Sequence, residues 1–288
     1  MKAGSKLSFV VAGALATFTG QAQDFSAVEI ETIPVADGVY MLVGQGGNIG
    51  LSVGDDGAMI IDTQYAPLSE KILGAVAAAG GGDVELVINT HWHGDHTGGN
   101  ANFGRAGAMI VAHTNVRVRL AAADDADPDG FPAVTYPDRV RIHWNDNAID
   151  LIHVLPAHTD GDTIVHFANL NAFHMGDTFF NGVYPFIDVD SAGSFDGLIA
   201  AGEQVIEIAD NDTVIIPGHG PLADKADLEA WIGILKTIRS RFQSLIDEGR
   251  SADEVVAAGV TSEWDEAMGG GFMDPETFTR LAYRSLTE

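Results

Sequence analysis

The sequence predicts an α/β fold of two β-sheets faced by helices, and three observations carry that prediction. Short runs rich in Val, Ile, Leu and Phe recur as far as Pro217, most of them bounded by Gly, Asn, Asp or Pro, as buried strands and their turns are. Segments with apolar residues three and four apart fall among them, as expected of helices that lay one face on a sheet. The chain has 288 residues, 46% of them hydrophobic, which is enough to build a substantial core.

Taken in order, the chain starts Met-Lys-Ala-Gly-Ser-Lys, continues with an apolar run over 7–18 and reaches Gly20-Gln21-Ala22 before polar residues begin. A positive start, a short apolar middle and small residues at the end describe a secretory signal over 1–22, followed by one domain over 23–288. The run is shorter than the ~20 apolar residues a membrane span needs, so a soluble periplasmic or secreted protein without a membrane partner is expected. Strands are predicted over 39–43 and 49–53, joined by the turn Gly44-Gln45-Gly46-Gly47-Asn48, and over 58–62. A helix over 68–79 stops at three glycines, and a buried strand follows over 84–89. Further strands are predicted over 109–112, 140–143, 149–154, 163–167, 172–175 and 214–217, with helices over 115–123, 195–209 and 226–246. The Asp-, Pro- and Gly-rich segment 124–137 reads as a surface loop or flap. No internal repeat is present.

Composition narrows the function. Asp and Glu number 41 against 15 Lys and Arg, a formal charge of −26, which repels a polyanion and argues against nucleic acid as a partner. With no cysteine, disulfides, thiolate ligands, a Cys nucleophile and iron-sulfur clusters are excluded, so any metal must be held by nitrogen and oxygen.

The strongest chemical signal directly follows the strand over 84–89: Asn89-Thr90-His91-Trp92-His93-Gly94-Asp95-His96 places four metal-ligand side chains within six positions. In extended chain His91 and His93 point the same way, so both imidazoles can reach one ion, and Gly94 permits the turn that re-aims Asp95 and His96. Crowded imidazoles and a carboxylate suit a borderline cation such as zinc. Three more candidates, His158, Asp177 and His219, each lie just beyond a predicted strand. His113, His143, His153, His166 and His174 stand alone and read as packed or surface residues. Trp92, Phe179, Phe180, Tyr184 and Phe186 surround the motifs, either as lining of a substrate cleft or as core.

The run His-Trp-His-Gly-Asp-His, followed by Ala157-His158-Thr159, Met175-Gly176-Asp177 and Pro217-Gly218-His219-Gly220, resembles the successive metal motifs of the metallo-β-lactamase superfamily. The resemblance implies an αβ/βα sandwich with two metals at the sheet edges, zinc first, with iron or manganese as alternatives. It implies that His91, His93 and His158 hold one metal, that Asp95, His96 and His219 hold the other, and that Asp177 bridges them. Asp62 matches the family's early aspartate and would orient a ligand histidine from behind.

Two ions sharing a solvent oxygen would lower its pKa toward neutrality and supply hydroxide, with Asp95 orienting it or delivering a proton. The expected substrate is a small cyclic amide or ester, β-lactam first because an exported enzyme meets such compounds. The family's best-known β-lactamases, however, carry a Cys at the fourth motif and often a nearby Lys, whereas here Asp177 stands there and no Lys or Arg occurs over 142–224. That pattern looks more like glyoxalase II and the lactonases, making a lactone or thioester hydrolase the alternative. A mononuclear iron dioxygenase and a metal-binding protein without turnover are the readings from other classes.

Overall fold

The computed structural model describes residues 24–288, so the signal read over 1–22 lies outside the described residues. Strands β1 (Glu31–Ala36), β2 (Val39–Val43), β3 (Ile49–Ser52), β4 (Ala58–Ile61), β5 (Val84–Asn89), β6 (Met109–His113) and β7 (Val134–Tyr136) form one sheet in sequence order. The first four are antiparallel, and pairing is parallel from β4 to β7. Strands β8 (Arg139–Trp144), β9 (Asn147–His153), β10 (Thr163–Phe167), β11 (Ala172–His174), β12 (Val214–Ile216) and β13 (Ala223–Asp224) form the second sheet, antiparallel except where β11 meets β12.

Parallel neighbours need crossovers, and helices supply them. Helix α1 (Ser69–Ala78) joins β4 to β5, α2 (Gly94–Thr97) and α3 (Asn100–Ala106) lie between β5 and β6, α4 (Thr114–Ala122) follows β6, and α5 (Phe195–Ile208) joins β11 to β12. After β13 come α6 (Lys225–Asp247), α7 (Ala252–Ala258), α8 (Asp265–Met268) and α9 (Pro275–Thr287). Asp224 and Asp227 form a capping box that starts α6, satisfying backbone N–H groups that the first turn leaves open.

Strand alternation divides the core into three layers. Met59 and Ile61 of β4, with Leu86 and Ile88 of β5, meet Leu151 and Val165 of the second sheet. Ala58 and Ile60 face the other way, onto Leu68, Ile72 and Val76 at α1. On the far side, Ile164, Phe173 and Ile215 pack against Phe195 of α5, Trp231 of α6 and Phe278 of α9. Central strands covered on both faces read as continuous apolar runs, which is why the sequence pattern located them. The result is helix, sheet, sheet, helix: the αβ/βα sandwich.

One expectation needs correction. The segment 124–137 is only partly a loop, because Pro128–Gly130 forms a 3-10 turn and Val134–Tyr136 joins the first sheet as β7, parallel to β6. Three residues beside Pro137 are too short to display alternation, yet Tyr136 is buried there and its hydroxyl meets that of Thr163 at 2.8 Å. Strands β1 and β13 and helices α7 and α9 add to the predicted elements. No helix among the described residues is long and apolar enough to cross a membrane.

Candidate metal centre

The site is assembled where strand ends of both sheets meet. Strand β5 delivers His91 to His96, the turn after β9 delivers His158, the turn after β11 delivers Asp177, and the turn after β12 delivers His219. Asn89 and Asn100 exchange side-chain hydrogen bonds of 2.8 and 3.0 Å, fixing the start of the motif against α3. Asp62, in left-handed backbone at φ +68°, accepts from Thr90 N at 2.8 Å and from Thr90 Oγ1 at 2.7 Å. It also accepts from His96 Nδ1 at 2.7 Å, so this buried carboxylate lies directly behind a candidate ligand.

Three donor groups form, each with its ligand atoms within 4.8 Å of one another: His91, His93 and His158; His91, His96 and Asp177; and Asp95, His96 and His219. Asp177 lies between the two histidine sets, its carboxylate 3.0 Å from His96 Nε2 and 3.4 Å from both His158 Nε2 and His219 Nε2. Asp95 Oδ2 is 3.3 Å from His219 Nε2. All seven sequence candidates therefore converge on one spot.

The hydrogen bonds around the site leave ligand atoms free to face cations. His93 Nε2 meets the Asp188 carboxylate at 2.8 Å and His158 Nδ1 meets the Phe186 carbonyl at 2.8 Å, and since both partners only accept, both nitrogens carry protons. The opposite nitrogens, His93 Nδ1 and His158 Nε2, are then bare lone pairs facing each other 2.8 Å apart. Thr90 Oγ1 gives its proton to Asp62 and accepts from His91 Nδ1 at 3.1 Å, leaving His91 Nε2 bare as well. That atom is buried without a hydrogen-bond partner, and Asp177 Oδ1, although 3.0 Å from His96 Nε2, makes no well-aligned hydrogen bond. Converging lone pairs and an unsatisfied carboxylate oxygen are a poor arrangement alone and a suitable one for metal ions, with a nitrogen and oxygen donor set that matches zinc.

The electrostatics differ between the two ligand sets. Burial drives His91 well below the ordinary histidine range and His158 down to about 4, so both rings stay neutral and available as ligands. Burial opposes charge on Asp177 too, but His96, His219 and His158 around it outweigh that and hold its carboxyl well below the usual range. Burial resists charge on His96 and His219 as well, yet Asp177, Asp62 and Asp95 raise His96 well above the ordinary histidine range and Asp177 and Asp95 push His219 up to about 9, so a metal on this second set would have to displace a proton from each ring.

Close packing leaves no slack. A Cβ at Gly47 would overlap the His96 ring, and one at Gly218 would overlap Asp177, so the backbone approaches both ligands only because these residues are glycine. The predicted hairpin turn over 44–48 also braces the site, since Asn48 Nδ2 donates to the carbonyls of Pro217 and Gly220 at 3.0 and 2.9 Å.

A cavity of about 430 Å³ opens onto the cluster, walled by Gln45, Tyr65, Phe186 and Phe272 beside His93, Asp95, Asp177 and His219. That volume suits a small molecule. Of the aromatics singled out in the sequence, only Phe186 lines this cavity; Phe179, Phe180 and Tyr184 are fully buried, and Trp92 borders a separate space of about 240 Å³ with Leu120 and Phe131. Asp188, Tyr65 and Phe272 escaped the sequence reading. Phe272 did carry a signal, an aromatic side chain directly after Gly269-Gly270-Gly271.

A hydroxyacylglutathione hydrolase from Polaromonas sp. is 31% identical over 157 residues, 53% of this chain and 55% of that protein. The chain thus spans about half the length of that relative. Among solved structures, a metallo-beta-lactamase from Pontibacter korlensis superposes with a TM-score of 0.62 at 18% identity, covering 72% of this chain and 99% of that one. A stereoselective inverting sec-alkylsulfatase from Pseudomonas sp. superposes at 0.72 with 14% identity, over 90% of this chain and 50% of that one. At such identities the likeness is one of fold. The model of the metallo-beta-lactamase superfamily matches residues 42–219, a span from β2 through the last candidate ligand, and the chain belongs to that superfamily.

Proposed function

We propose that this protein is a dinuclear zinc-dependent hydrolase of a small acyl substrate, a lactone, ester or thioester. The observation that carries the reading is the convergence of bare imidazole nitrogens and the unsatisfied Asp177 oxygen beside a cavity of small-molecule size. His91, His93 and His158 would hold one ion, Asp95, His96 and His219 the other, and Asp177 both. When bound, the metals supply Lewis acidity toward the carbonyl and bring a solvent molecule to a nucleophilic state near neutral pH.

The protein's own residues do the rest. Burial resists ionisation of Asp95, but His96 and His219 outweigh it and lower its pKa, so its carboxylate is available to accept a proton at Oδ2. Hydrolysis adds water across the acyl bond: a new C–O bond forms, the bond to the leaving oxygen or sulfur breaks, and that atom takes up a proton, which Asp95 is placed to hold and pass on. Tyr65, Phe186 and Phe272 border the same cavity and give the acyl group apolar surface beside the candidate ligands.

The hydroxyacylglutathione hydrolase relative favours this class over the β-lactam first expected from export. Asp177 at the fourth motif points the same way. Export, proposed from the first residues, would in turn favour lactones and esters over cytoplasmic thioesters.

The deciding experiment counts metals in the purified protein and assays it on an aryl lactone, an acyl thioester and a chromogenic β-lactam. Two zincs per chain with lactone or thioester turnover, and loss of both metal and turnover in His93→Ala, are expected. One iron per chain with oxygen uptake and no hydrolysis would overturn the reading.

A further inference from the structure

The walls of the cavity say more about the substrate than its floor does. Beyond the candidate ligands it is lined by Gln45, Gly46, Tyr65, Phe186 and Phe272, and among the described residues no Lys or Arg lines it. A second cavity of about 320 Å³ shares Gly46 and His219 as walls; Ile33, Met41, Val43 and Leu222 line it, its added charge is Glu31, and it too has no Lys or Arg. Arg119 lies near the motif, 5.7 Å from the Trp92 ring, but it lines neither cavity and its guanidinium is committed to Asp160 through bonds of 2.6 and 2.9 Å. A substrate carboxylate held against these walls, away from the candidate metal ligands, would lose its water without gaining a Lys or Arg partner, and would do so in a chain of net charge −26.

Aromatic surface is present where cations are not. Phe272 is 59% exposed, the one aromatic among the exposed large apolar side chains of the described residues, and its ring centroid is 5.3 Å from that of His219 and 5.9 Å from that of Phe180. Phe186 stands across the site, 5.7 Å from His93. An exposed aromatic at the mouth of a cavity is a contact surface for something apolar.

We infer that the site takes an uncharged acyl substrate bearing an apolar or aromatic group, held between Phe272, Phe186 and Tyr65, and discriminates against substrates with a remote carboxylate. The inference rests on the hydrolase reading only for the bond that is cleaved; the selectivity belongs to the walls.

The test uses the protein with the metals it carries on purification and a matched pair of probes, octanohydroxamic acid and suberic acid monohydroxamate, which differ in a terminal methyl against a carboxylate; the hydroxamate is a stronger zinc ligand than a carboxylate and keeps that terminus away from the ions. Ligand-observed NMR titration is expected to show the methyl-ended probe binding at least about tenfold more tightly. Phe272→Ala should weaken the methyl-ended probe by roughly five- to tenfold with metal content unchanged. Gln45→Arg, which puts a cation on the exposed rim, should strengthen the carboxylate probe. The mono-4-nitrophenyl esters of hexanoate and adipate, assayed alongside, should differ in kcat/KM in the same direction. Equal or tighter binding of the carboxylate probe to the unaltered protein would overturn the inference. Selective binding of the methyl-ended probe without turnover of either ester would support it while overturning the hydrolase reading alone.

Discussion

Asp188 accepts from His93 Nε2 at 2.8 Å and Asp62 accepts from His96 Nδ1 at 2.7 Å, so two carboxylates decide which ring nitrogen of each histidine faces the site. Burial resists charge on Asp188, but hydrogen bonds from His93 and Ser191 outweigh it and hold its pKa at about 2, so it is an anion throughout the neutral range. Removing it with Asp188→Ala frees His93 to protonate either nitrogen and to turn about its χ angles. Affinity for one metal should fall by roughly 10- to 100-fold, as read by chelator competition. Asp188 also accepts from Ser191 N at 3.1 Å, so the same variant loosens a turn. Asp188→Asn separates the effects, because its amide oxygen can still accept from His93, and it should retain most of the affinity. If both variants bind metal like the parent, packing alone orients His93.

Between neighbouring strands, the β8–β9 pair offers a measurable electrostatic contribution. Asp150 of β9 is buried and accepts from Arg141 Nε and Nη2 at 2.7 Å and from Arg139 Nη2 at 2.6 Å, both arginines lying on the edge strand β8. The Arg141 hydrogen bonds, against burial and with help from Arg139, bring its pKa from 3.8 down to about 2. A carboxylate depressed on folding stabilises the fold above its unfolded pKa, and that stability is lost as pH falls from about 4 through 2. Asp150→Asn should cost about 1–2 kcal/mol in urea unfolding at neutral pH, a range reduced because both arginines are half exposed, and should flatten the stability profile between pH 4 and 2. An unchanged acid slope would show the pair adds nothing. The same elements show what was legible in sequence. β4, β5 and β10 read clearly because both faces are covered, and the seven candidate ligands read clearly because they either crowd into six positions or close such strands. Strand β1 carries Pro34 and mixes exposed with half-buried residues without strict alternation, and β13 has two residues, so neither shows a pattern. Tyr65, Phe186 and Phe272 are distant in sequence and meet only in the folded cavity, where no local periodicity marks them.

Across the whole molecule the metal centre lies on the seam between the sheets. His91, His93, Asp95 and His96 hang from the first sheet through β5, whereas His158, Asp177 and His219 follow β9, β11 and β12 of the second. Ions held by both sets would tie the sheets together at one end, where otherwise His93 Nδ1 and His158 Nε2 direct lone pairs at each other. Such ions bind the folded chain and find few preformed ligands in the unfolded one, so binding free energy becomes folding free energy. At a free metal concentration a hundred times Kd, one site adds about 2.7 kcal/mol. For a chain of this size that is a rise in Tm of roughly 5–10 °C. Calorimetry after chelator treatment, at fixed salt because the net charge of −26 makes stability ionic-strength dependent, should show that fall, and adding zinc should reverse it. His158→Ala and His93→Ala, one from each sheet, should each remove the part of that rise due to the ion they share and keep the part due to the ion of Asp95, His96 and His219. A Tm that stays put while metal content falls to zero would mean that the three-layer core alone holds the sheets in register, with the metals serving chemistry and not the fold.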